Sequence, residues 1–248
     1  MDIPGFIYYR TSELLTFLSQ HIPFSKKYGN TSFVAKGMGY DNVSPSRWKR
    51  YSKDKEGLLV DYVRFRTLEL LAEEIKKKGL TGAVAELGVF RGDFSSIINQ
   101  LYPESTLYLF DTFEGFADVD IKHERENDYT SDKALTQFRN TSIDIVLSKM
   151  QHPDKCVVRK GYFPETVEGL EDRFIFVSLD CDLYLPILAG LEYFYPRLVE
   201  GGYIMIHDYN QTNEWKGVKE AVSDFEKKNG FVPKVPITDT CGTLIITK

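Results

Sequence analysis

The feature of this sequence that most constrains its fold is a pair of apolar segments, each ending in residues suited to holding a nucleoside. Residues 84–87 run into Gly88, and a helix is predicted to follow over residues 95–101. Residues 107–110 form the second apolar run, which ends at Asp111. This order is typical of a nucleoside-binding βαβ unit, in which glycine lets the backbone approach the ligand and the acid accepts both hydrogen bonds of a ribose diol.

The turn after the first strand indicates which nucleoside is bound. It lacks the G-x-G-x-x-G pattern of dinucleotide sites, because Leu87 separates Glu86 from Gly88 and the next glycine is Gly92. A pyrophosphate would meet the negative charge of Glu86 there, and like charges repel. S-adenosylmethionine carries a sulfonium and an ammonium group and no phosphate, so the turn favours this cofactor.

Length and composition limit the class of protein. A chain of 248 residues fits one α/β domain over residues 56–248, preceded by an N-terminal arm or lid over residues 1–55. The net charge of −5 argues against nucleic acid and against an anionic membrane surface, because both select basic stripes. Three scattered cysteines without a C-x-x-C pair indicate a reduced, cytoplasmic setting. Residues 1–25 contain no apolar run suited to a signal peptide or a membrane span.

The rest of the chain alternates apolar runs with amphipathic stretches. Strands are predicted over residues 83–86, 106–111, 156–160, 174–180 and 203–207, and helices over residues 56–78, 185–196 and 218–228. Strands that alternate with helices pair in parallel, which predicts a Rossmann-like α/β fold with a doubly wound, mostly parallel sheet. Residues 232–235 and 243–247 add an antiparallel edge. Residues 112–131 are predicted to form a polar loop whose acidic residues, Asp118, Asp120, Glu124 and Glu126, are solvated, and residues 132–150 are predicted to form a helix.

Acidic residues end four of these strands, at the edge where such sheets bind ligands. A single strand-end aspartate usually caps a helix or forms a turn, but Asp180 and Asp182 both follow one unbroken apolar run. Two carboxylates so close together repel each other unless a proton or a cation lies between them. A divalent cation is the simplest remedy, and Asp208, at the next strand end, is a further oxygen ligand for it.

Two histidines near these strand ends are candidates for chemistry. His207 precedes Asp208: as a ligand it favours Mn²⁺, Fe²⁺ or Zn²⁺, as a base it takes a proton from a substrate hydroxyl, and as a plain strand-end residue it does neither. His123 lies in the predicted polar loop, where it is either solvated or approaches the acceptor as a base when the loop closes. Aromatic residues of the arm either stack on a sugar or serve in packing.

Several longer motifs resemble those of one family. They are A-E-L-G-V-F-R-G (85–92), Y-L-F-D-T-F-E-G-F (108–116), R-K-G-Y-F-P-E-T (159–166), S-L-D-C-D-L-Y (178–184) and Y-P-R-L-V-E-G-G-Y-I-M-I-H-D-Y (195–209). On these motifs the chain resembles the macrocin O-methyltransferase family, which methylates sugar hydroxyls of antibiotics and related glycosides with S-adenosylmethionine. The resemblance implies a class I methyltransferase fold, a sugar or glycoside acceptor, and a cofactor site made of Glu86, Gly88, Val89, Arg91, Asp111, Thr112, Gly161 and Asp180.

The resemblance also implies a divalent cation, with Mg²⁺ first and Mn²⁺ second. Its implied ligands are Asp180 and Asp208 together with the residue before Asp208, and Asp182 is the implied base. The family usually has two adjacent aspartates where this chain has His207 and Asp208. His207 is therefore expected to replace a carboxylate ligand, and Asn210 to add an oxygen donor.

Two other functions fit the same core. A nicotinamide-dependent oxidoreductase would share the fold, but the acidic turn argues against it. A nucleoside-binding or scaffolding module that has lost catalysis would account for the unusual His207. The arm over residues 1–55 is predicted to be a lid over the ligand or a contact between copies of the chain in a homo-oligomer.

Overall fold

The computed structural model describes residues 62–211, 214–239 and 241–248. Within these limits, residues 68–237 and 241–248 form one compact unit, which contains the sheet. The predicted arm lies outside the described residues, as do its boundary at residue 56 and its roles as lid, sugar platform and oligomer contact.

Strands and helices alternate along the described residues. The strands are β1 (Ala83–Leu87), β2 (Leu107–Asp111), β3 (Cys156–Lys160), β4 (Phe174–Leu179), β5 (Leu198–Ile206), β6 (Lys234–Pro236) and β7 (Leu244–Thr247). The helices are α1 (Tyr62–Lys77), α2 (Asp93–Leu101), α3 (Asp118–Asn127), α4 (Ile143–Leu147), α5 (Tyr184–Arg197) and α6 (Gly217–Asn229), with short 3₁₀ turns at Ala134–Thr136, Pro153–Lys155 and Glu165–Val167. A helix with the length and apolar character of a membrane span is not found among the described residues.

The strands form one seven-stranded sheet in the order β3-β2-β1-β4-β5-β7-β6. The first five strands in chain order pair in parallel, and β7 pairs antiparallel with both β5 and β6. The order of the strands reverses between β1 and β4, and open α/β sheets bind ligands at the carboxyl ends of the strands at such a switch point. The predicted doubly wound, mostly parallel sheet with an antiparallel edge is confirmed.

The central strands are buried on both faces. Every residue of β1 and β4 is buried, which is typical of parallel strands covered by helices. Aromatic rings join the sheet to α5: the ring centroid of Phe194 lies 5.0 Å from that of Phe174 and 5.8 Å from that of Phe110. Burial of each such side chain stabilises the fold by about 1.5 to 3 kcal/mol, so the strand ends project from a rigid core.

The structure corrects the prediction for the connection between β2 and β3. Residues 112–131 contain α3 instead of a continuous loop, and the predicted helix over residues 132–150 reduces to a 3₁₀ turn and the five-residue α4. Asp118 and Asp120 lie in the first turn of α3, where the helix dipole favours negative charge. Its buried face combines Ile121 with Asp120 and Glu124. Because two of these three buried residues are acidic residues, hydrophobic periodicity did not reveal the helix.

Strand β5 is also longer than predicted. It begins at Leu198 and continues through Gly201 and Gly202, which the sequence pattern predicts as a turn before the strand. A Cβ atom on Gly202 would lie 2.9 Å from the carbonyl oxygen of Ile175. Glycine therefore allows the backbone of β5 to remain against β4 through the register shift in this pair of strands.

Candidate active site

The ends of β1 and β4 touch at Gly88. The amide of Asp180 donates a hydrogen bond to the carbonyl of Leu87 at 2.8 Å, and a Cβ atom on Gly88 would overlap the carbonyl oxygen of Asp180. Gly88 has a φ of 86°, which residues with a side chain rarely adopt. Only glycine allows the backbone at the end of β1 to approach the backbone of Asp180 this closely. Residues 88–92, called the cofactor turn below, therefore lie against Asp180.

Asp111 fixes the cofactor turn from the neighbouring strand. Its Oδ2 accepts hydrogen bonds from the amides of Val89 and Phe90, each at 2.8 Å. Its Oδ1 accepts one from the amide of Phe113 at 2.7 Å. A carboxylate offers about four acceptor positions, so about one remains for a ribose hydroxyl, whereas the sequence suggested two hydrogen bonds. The ribose contact itself stays a prediction.

Glu86 is buried within β1 and points toward α2. It accepts a hydrogen bond from the hydroxyl of Ser95, which lies in the first turn of α2. The N-terminal end of a helix stabilises a nearby negative charge, so this contact lets a buried carboxylate remain beside the cofactor turn.

The other predicted cofactor residues surround the same turn. Val89 is buried, and Arg91 donates a hydrogen bond to the carbonyl of Asn140 at 3.2 Å. The Thr112 hydroxyl donates to a carbonyl within its own turn at 2.5 Å. The Gly161 amide donates to the carbonyl of the last residue of β2 at 3.0 Å. These contacts hold the surrounding loops, and direct binding of the cofactor by these residues stays a prediction.

Three carboxylates from the ends of β4 and β5 meet in one place. Asp180, Asp182 and Asp208, called the carboxylate triad below, each offer an oxygen, and these oxygens lie within 4.8 Å of one another. Asp182 and Asp208 are buried and have φ angles of 63° and 57°. Such left-handed conformations are uncommon outside glycine and concentrate at functional sites. The structure thus brings together residues that the strand ends predicted as neighbours, and their binding of a cation stays a prediction.

His207 lies between two members of the triad. Its Nδ1 is 2.7 Å from Oδ2 of Asp208 and 2.9 Å from Oδ1 of Asp180. Carboxylates in this position orient an imidazole ring and stabilise its positively charged form. With Nδ1 facing the carboxylates, proton exchange with a substrate would take place at Nε2.

Burial and the closeness of the negative charges shift the pKa values of the triad. Burial, reinforced by the charges of Asp208 and Asp180, raises the pKa of Asp182 well above its ordinary value. Burial acts in the same direction on Asp208, but the hydrogen bond and charge of His207, with the hydrogen bond from Asp182, lower the pKa of Asp208. The two shifts have opposite directions, so the pair favours a proton on Asp182 and a negative charge on Asp208. A divalent cation fits this donor set, because it would neutralise the same charge through oxygen ligands.

Helix α3 contributes two buried carboxylates that the sequence predicts as part of a solvated segment. The Oε1 atom of Glu124 accepts a hydrogen bond from the amide of Tyr184, the first residue of α5, at 2.8 Å. Burial raises the pKa of Glu124 to about 7, although the Tyr184 hydrogen bond opposes this shift. Burial likewise raises the pKa of Asp120 to about 6 against a hydrogen bond from Tyr162. The solvated assignment is wrong for both, and their i, i+4 spacing around Ile121 was the available signal.

His123 belongs to α3, so the prediction that it lies in a loop that closes over the acceptor is wrong. Its ring stacks on Tyr184 with centroids 4.7 Å apart, and its Nδ1 is buried without a hydrogen-bond partner among the described residues. The clusters of potential metal ligands found in the described part of the chain do not include it. Its role as a base stays a prediction.

The connection that follows β5 differs from expectation at Asn210. The amide nitrogen of Asn210 donates to the carbonyl of Gly242 at 3.3 Å, and its oxygen accepts from Lys219 at 3.1 Å. The lysine charge opposes the predicted use of this oxygen as a cation ligand. Cys241 instead brings its sulfur within 4.8 Å of ligand atoms of His207 and Asp208. No sequence pattern indicated this cysteine, because it comes from the β6–β7 connection.

An open α/β sheet with an acidic glycine turn at its switch point and carboxylates at the adjacent strand ends is the architecture of a class I methyltransferase. The family model of macrocin-O-methyltransferases matches residues 52–245. The chain therefore belongs to this family of S-adenosylmethionine-dependent O-methyltransferases, and the nicotinamide-dependent alternative is set aside.

Two relatives illustrate the family. The mycinamicin III 3''-O-methyltransferase of Micromonospora griseorubida is 24% identical over 201 residues, covering 74% of this chain and 76% of the relative. An 8-demethyl-8-(2,3-dimethoxy-alpha-L-rhamnosyl)-tetracenomycin-C 4'-O-methyltransferase of Streptomyces olivaceus is 24% identical over 200 residues, covering 75% and 72%.

Solved structures share the fold. The O-methyltransferase NovP superposes with a TM-score of 0.63 at 20% identity, covering 76% of this chain and 81% of its own. A calicheamicin methyltransferase superposes with a TM-score of 0.62 at 18% identity, covering 100% and 94%. At these identities the likeness concerns the fold alone, and it agrees with the strand order described above.

Proposed function

We propose that this protein transfers a methyl group from S-adenosylmethionine to a sugar hydroxyl of a glycosylated small molecule, with a divalent cation held by the carboxylate triad. The observation that carries the proposal is the contact between Gly88 and Asp180, because it joins the cofactor turn directly to the triad. The two relatives whose names specify a ring position for methylation support a sugar hydroxyl as the acceptor. The reduced, cytoplasmic setting predicted from the cysteines belongs to the same proposal.

On the cofactor side, the negative charge of the protein faces a positively charged ligand. Glu86 lies buried next to the turn, and Asp111 keeps about one acceptor position after its three backbone amides. The proposal gives that position to one ribose hydroxyl. Amides already bound to Asp111 hold the turn in its binding shape, so little ordering is needed when the cofactor enters.

On the acceptor side, the triad gathers negative charge at the strand ends. A divalent cation bound there would lower the pKa of a sugar hydroxyl that it contacts. Asp180, Asp182 and Asp208 are the proposed ligands, and the positive charge of the cation would replace the proton that the raised pKa of Asp182 favours. Holding the acceptor next to the methyl donor makes the displacement effectively intramolecular, which accounts for a large part of the rate in such reactions.

His207 is the proposed proton acceptor. Its Nδ1 faces Asp180 and Asp208, whose charges stabilise the imidazolium that forms when Nε2 takes the hydroxyl proton. The hydroxyl oxygen then forms a bond to the methyl carbon, the carbon–sulfur bond breaks, and S-adenosylhomocysteine leaves with the electron pair of that bond. The proton remains on His207 until it passes to solvent.

A screen of acceptors tests the proposal. Purified protein is incubated with S-adenosylmethionine carrying a labelled methyl group, Mg²⁺ and a panel of glycosides, matched aglycones and free sugars. The expected result is label on one hydroxyl of a sugar ring and none on the matched aglycones. Label on aglycones alone would contradict the sugar assignment, and cofactor binding without transfer to any member would favour the non-catalytic module.

A further inference from the structure

A second set of metal-binding side chains overlaps the triad and has different chemistry. His207, Asp208 and Cys241 each offer one ligand atom, and these three atoms lie within 4.8 Å of one another. The set combines an imidazole, a carboxylate and a thiol, whereas the triad contains oxygen donors only. Thiolate and imidazole select transition metals such as Zn²⁺, and oxygen donors select Mg²⁺ and Mn²⁺.

The fold builds this second set from two separate parts of the sheet. β5 and β7 pair antiparallel with Ile206 opposite Leu244, and continuing that register brings the residues before Leu244 alongside those after Ile206. Gly242 has a φ of 64° and lies so close to Asn210 that a Cβ atom on it would be 2.5 Å from the Asn210 Cβ. Glycine at this position therefore allows the connection to press against the end of β5 and hold Cys241 there.

We infer that His207, Asp208 and Cys241 form a binding site for a transition metal ion, with Zn²⁺ as the ion that the donors suit best. Ligand atoms around a tetrahedral zinc ion lie about 3.3 to 3.8 Å apart, as follows from its bond lengths. The three ligand atoms lie within 4.8 Å of one another, so forming the site requires each pair to close by at most about 1.5 Å, which rotation of a cysteine side chain supplies. Three protein ligands leave the fourth position for water or a substrate oxygen.

Asp208 belongs both to this site and to the triad. A single ion occupies one set at a time, because the triad needs Asp208 together with Asp182 and the second set needs it together with Cys241. The same pocket therefore sorts cations by softness: Mg²⁺ and Mn²⁺ take the carboxylates, and Zn²⁺ or Co²⁺ takes the thiolate set. This inference does not depend on the proposed methyl transfer, since binding alone defines it.

Cobalt absorption tests the site directly. Co²⁺ is added to the metal-free, full-length protein, and the near-ultraviolet charge-transfer band of a cobalt–thiolate bond is recorded. The band is expected in the wild type and in Cys156→Ser, whose sulfur lies elsewhere, beside Asn99. It should disappear in Cys241→Ser, together with at least about a tenfold loss in Zn²⁺ affinity. A wild type without the band, or a Cys241→Ser variant that keeps it, would overturn the inference.

Two further measurements distinguish the two ligand sets, and the second uses only the wild type, so that misfolding of a variant cannot explain its result. Asp182→Asn should weaken Mn²⁺ binding and keep the cobalt–thiolate band, whereas Cys241→Ser should show the reverse pattern; equal effects of both variants on both ions would contradict two distinct sets. In the wild type alone, Zn²⁺ should slow alkylation of Cys241 at least about tenfold relative to Mg²⁺. Equal alkylation rates with the two ions would also refute the site.

Discussion

The cofactor side and the triad side of this site lie at adjacent strand ends, yet they are built in opposite ways. At β1 and β2, one carboxylate, that of Asp111, is surrounded by three backbone amides. At β4 and β5, carboxylates and an imidazole face one another, and burial together with the neighbouring carboxylates raises the pKa of Asp182. The first arrangement satisfies its charge within the protein, and the second requires a proton or a cation. Substitutions on the first side should therefore alter binding, and those on the second should alter chemistry.

The largest effect is expected at Asp208, which contacts His207 and belongs to both ligand sets. Asp208→Asn should lower kcat by about a thousandfold, or about 4 kcal/mol, because it weakens cation binding and removes a partner of the base. Affinity for S-adenosylmethionine, measured by calorimetry, should change little. Asp154→Asn, at an exposed position, is the matched control. If the affinity for S-adenosylmethionine fell as much as kcat, the two sides of the site would not have separate roles in binding and chemistry.

The next effect concerns His207. His207→Gln should lower kcat by about a hundredfold, within the range of a lost general base, and should remove the fall in rate on the acidic side of the pH–rate profile. Mn²⁺ affinity should remain close to that of the wild type, because the triad is intact. His152→Gln is the control. A variant that loses Mn²⁺ binding but keeps its pH profile would make His207 a ligand of the hard cation and not the base.

On the cofactor side, Asp111→Ala should weaken binding of S-adenosylmethionine by about 1 to 3 kcal/mol. The substitution removes a charged acceptor and leaves three amides without their partner, so the turn also loses its fixed shape. Mn²⁺ binding at the triad should stay unchanged, which distinguishes this variant from Asp208→Asn. Calorimetry with each ligand measures both quantities, and wild-type cofactor affinity in a folded variant would remove Asp111 from the site.

The sequence predicts the local features of both sides of the site, but not the contacts between residues that are distant in sequence. Apolar runs that end in Glu86, Asp111 and Asp180 predicted the strands and the edge to which they point, because burial on both faces leaves a clear pattern. The pattern did not predict what each carboxylate contacts. Asp111 binds amides from another strand end, and Cys241 reaches His207 through a connection distant in sequence, so both contacts depend on tertiary packing.

Helix α3 was missed for a related reason. Its buried positions include Asp120 and Glu124, and a buried carboxylate looks in sequence like a solvated one. The partners that make burial tolerable, the Tyr184 amide and the Tyr162 hydroxyl, come from other parts of the chain. Local periodicity contains no information about them.

The smallest effect is expected from Glu124, which links α3 to the start of α5 near the triad. Its pKa of about 7 lies above the ordinary value of 4.5, so the folded state holds this proton more tightly. The associated stability is fully present below about pH 4.5 and is lost as the pH rises through 7. Glu124→Gln should remove this loss. As the pH rises from 5 to 8, the free energy of unfolding of the variant should increase relative to that of the wild type by up to about 2 kcal/mol.

Urea unfolding at both pH values measures this change in the free energy of unfolding. Glu126→Gln, exposed on the same helix, should keep the wild-type pH dependence. If Glu124→Gln and the wild type lose stability in parallel between the two pH values, the buried carboxylate is not the group that titrates.

Cation dependence of turnover, measured together with cofactor affinity in the same samples, shows whether the triad uses a cation in methyl transfer. With the acceptor identified in the screen, methyl transfer and S-adenosylmethionine binding are recorded after chelation and again after Mg²⁺ is restored. Transfer should fall at least about a hundredfold without the cation and recover with it, while cofactor affinity remains the same. Full transfer after complete chelation, with the triad unaltered, would mean that the triad needs no cation for methyl transfer.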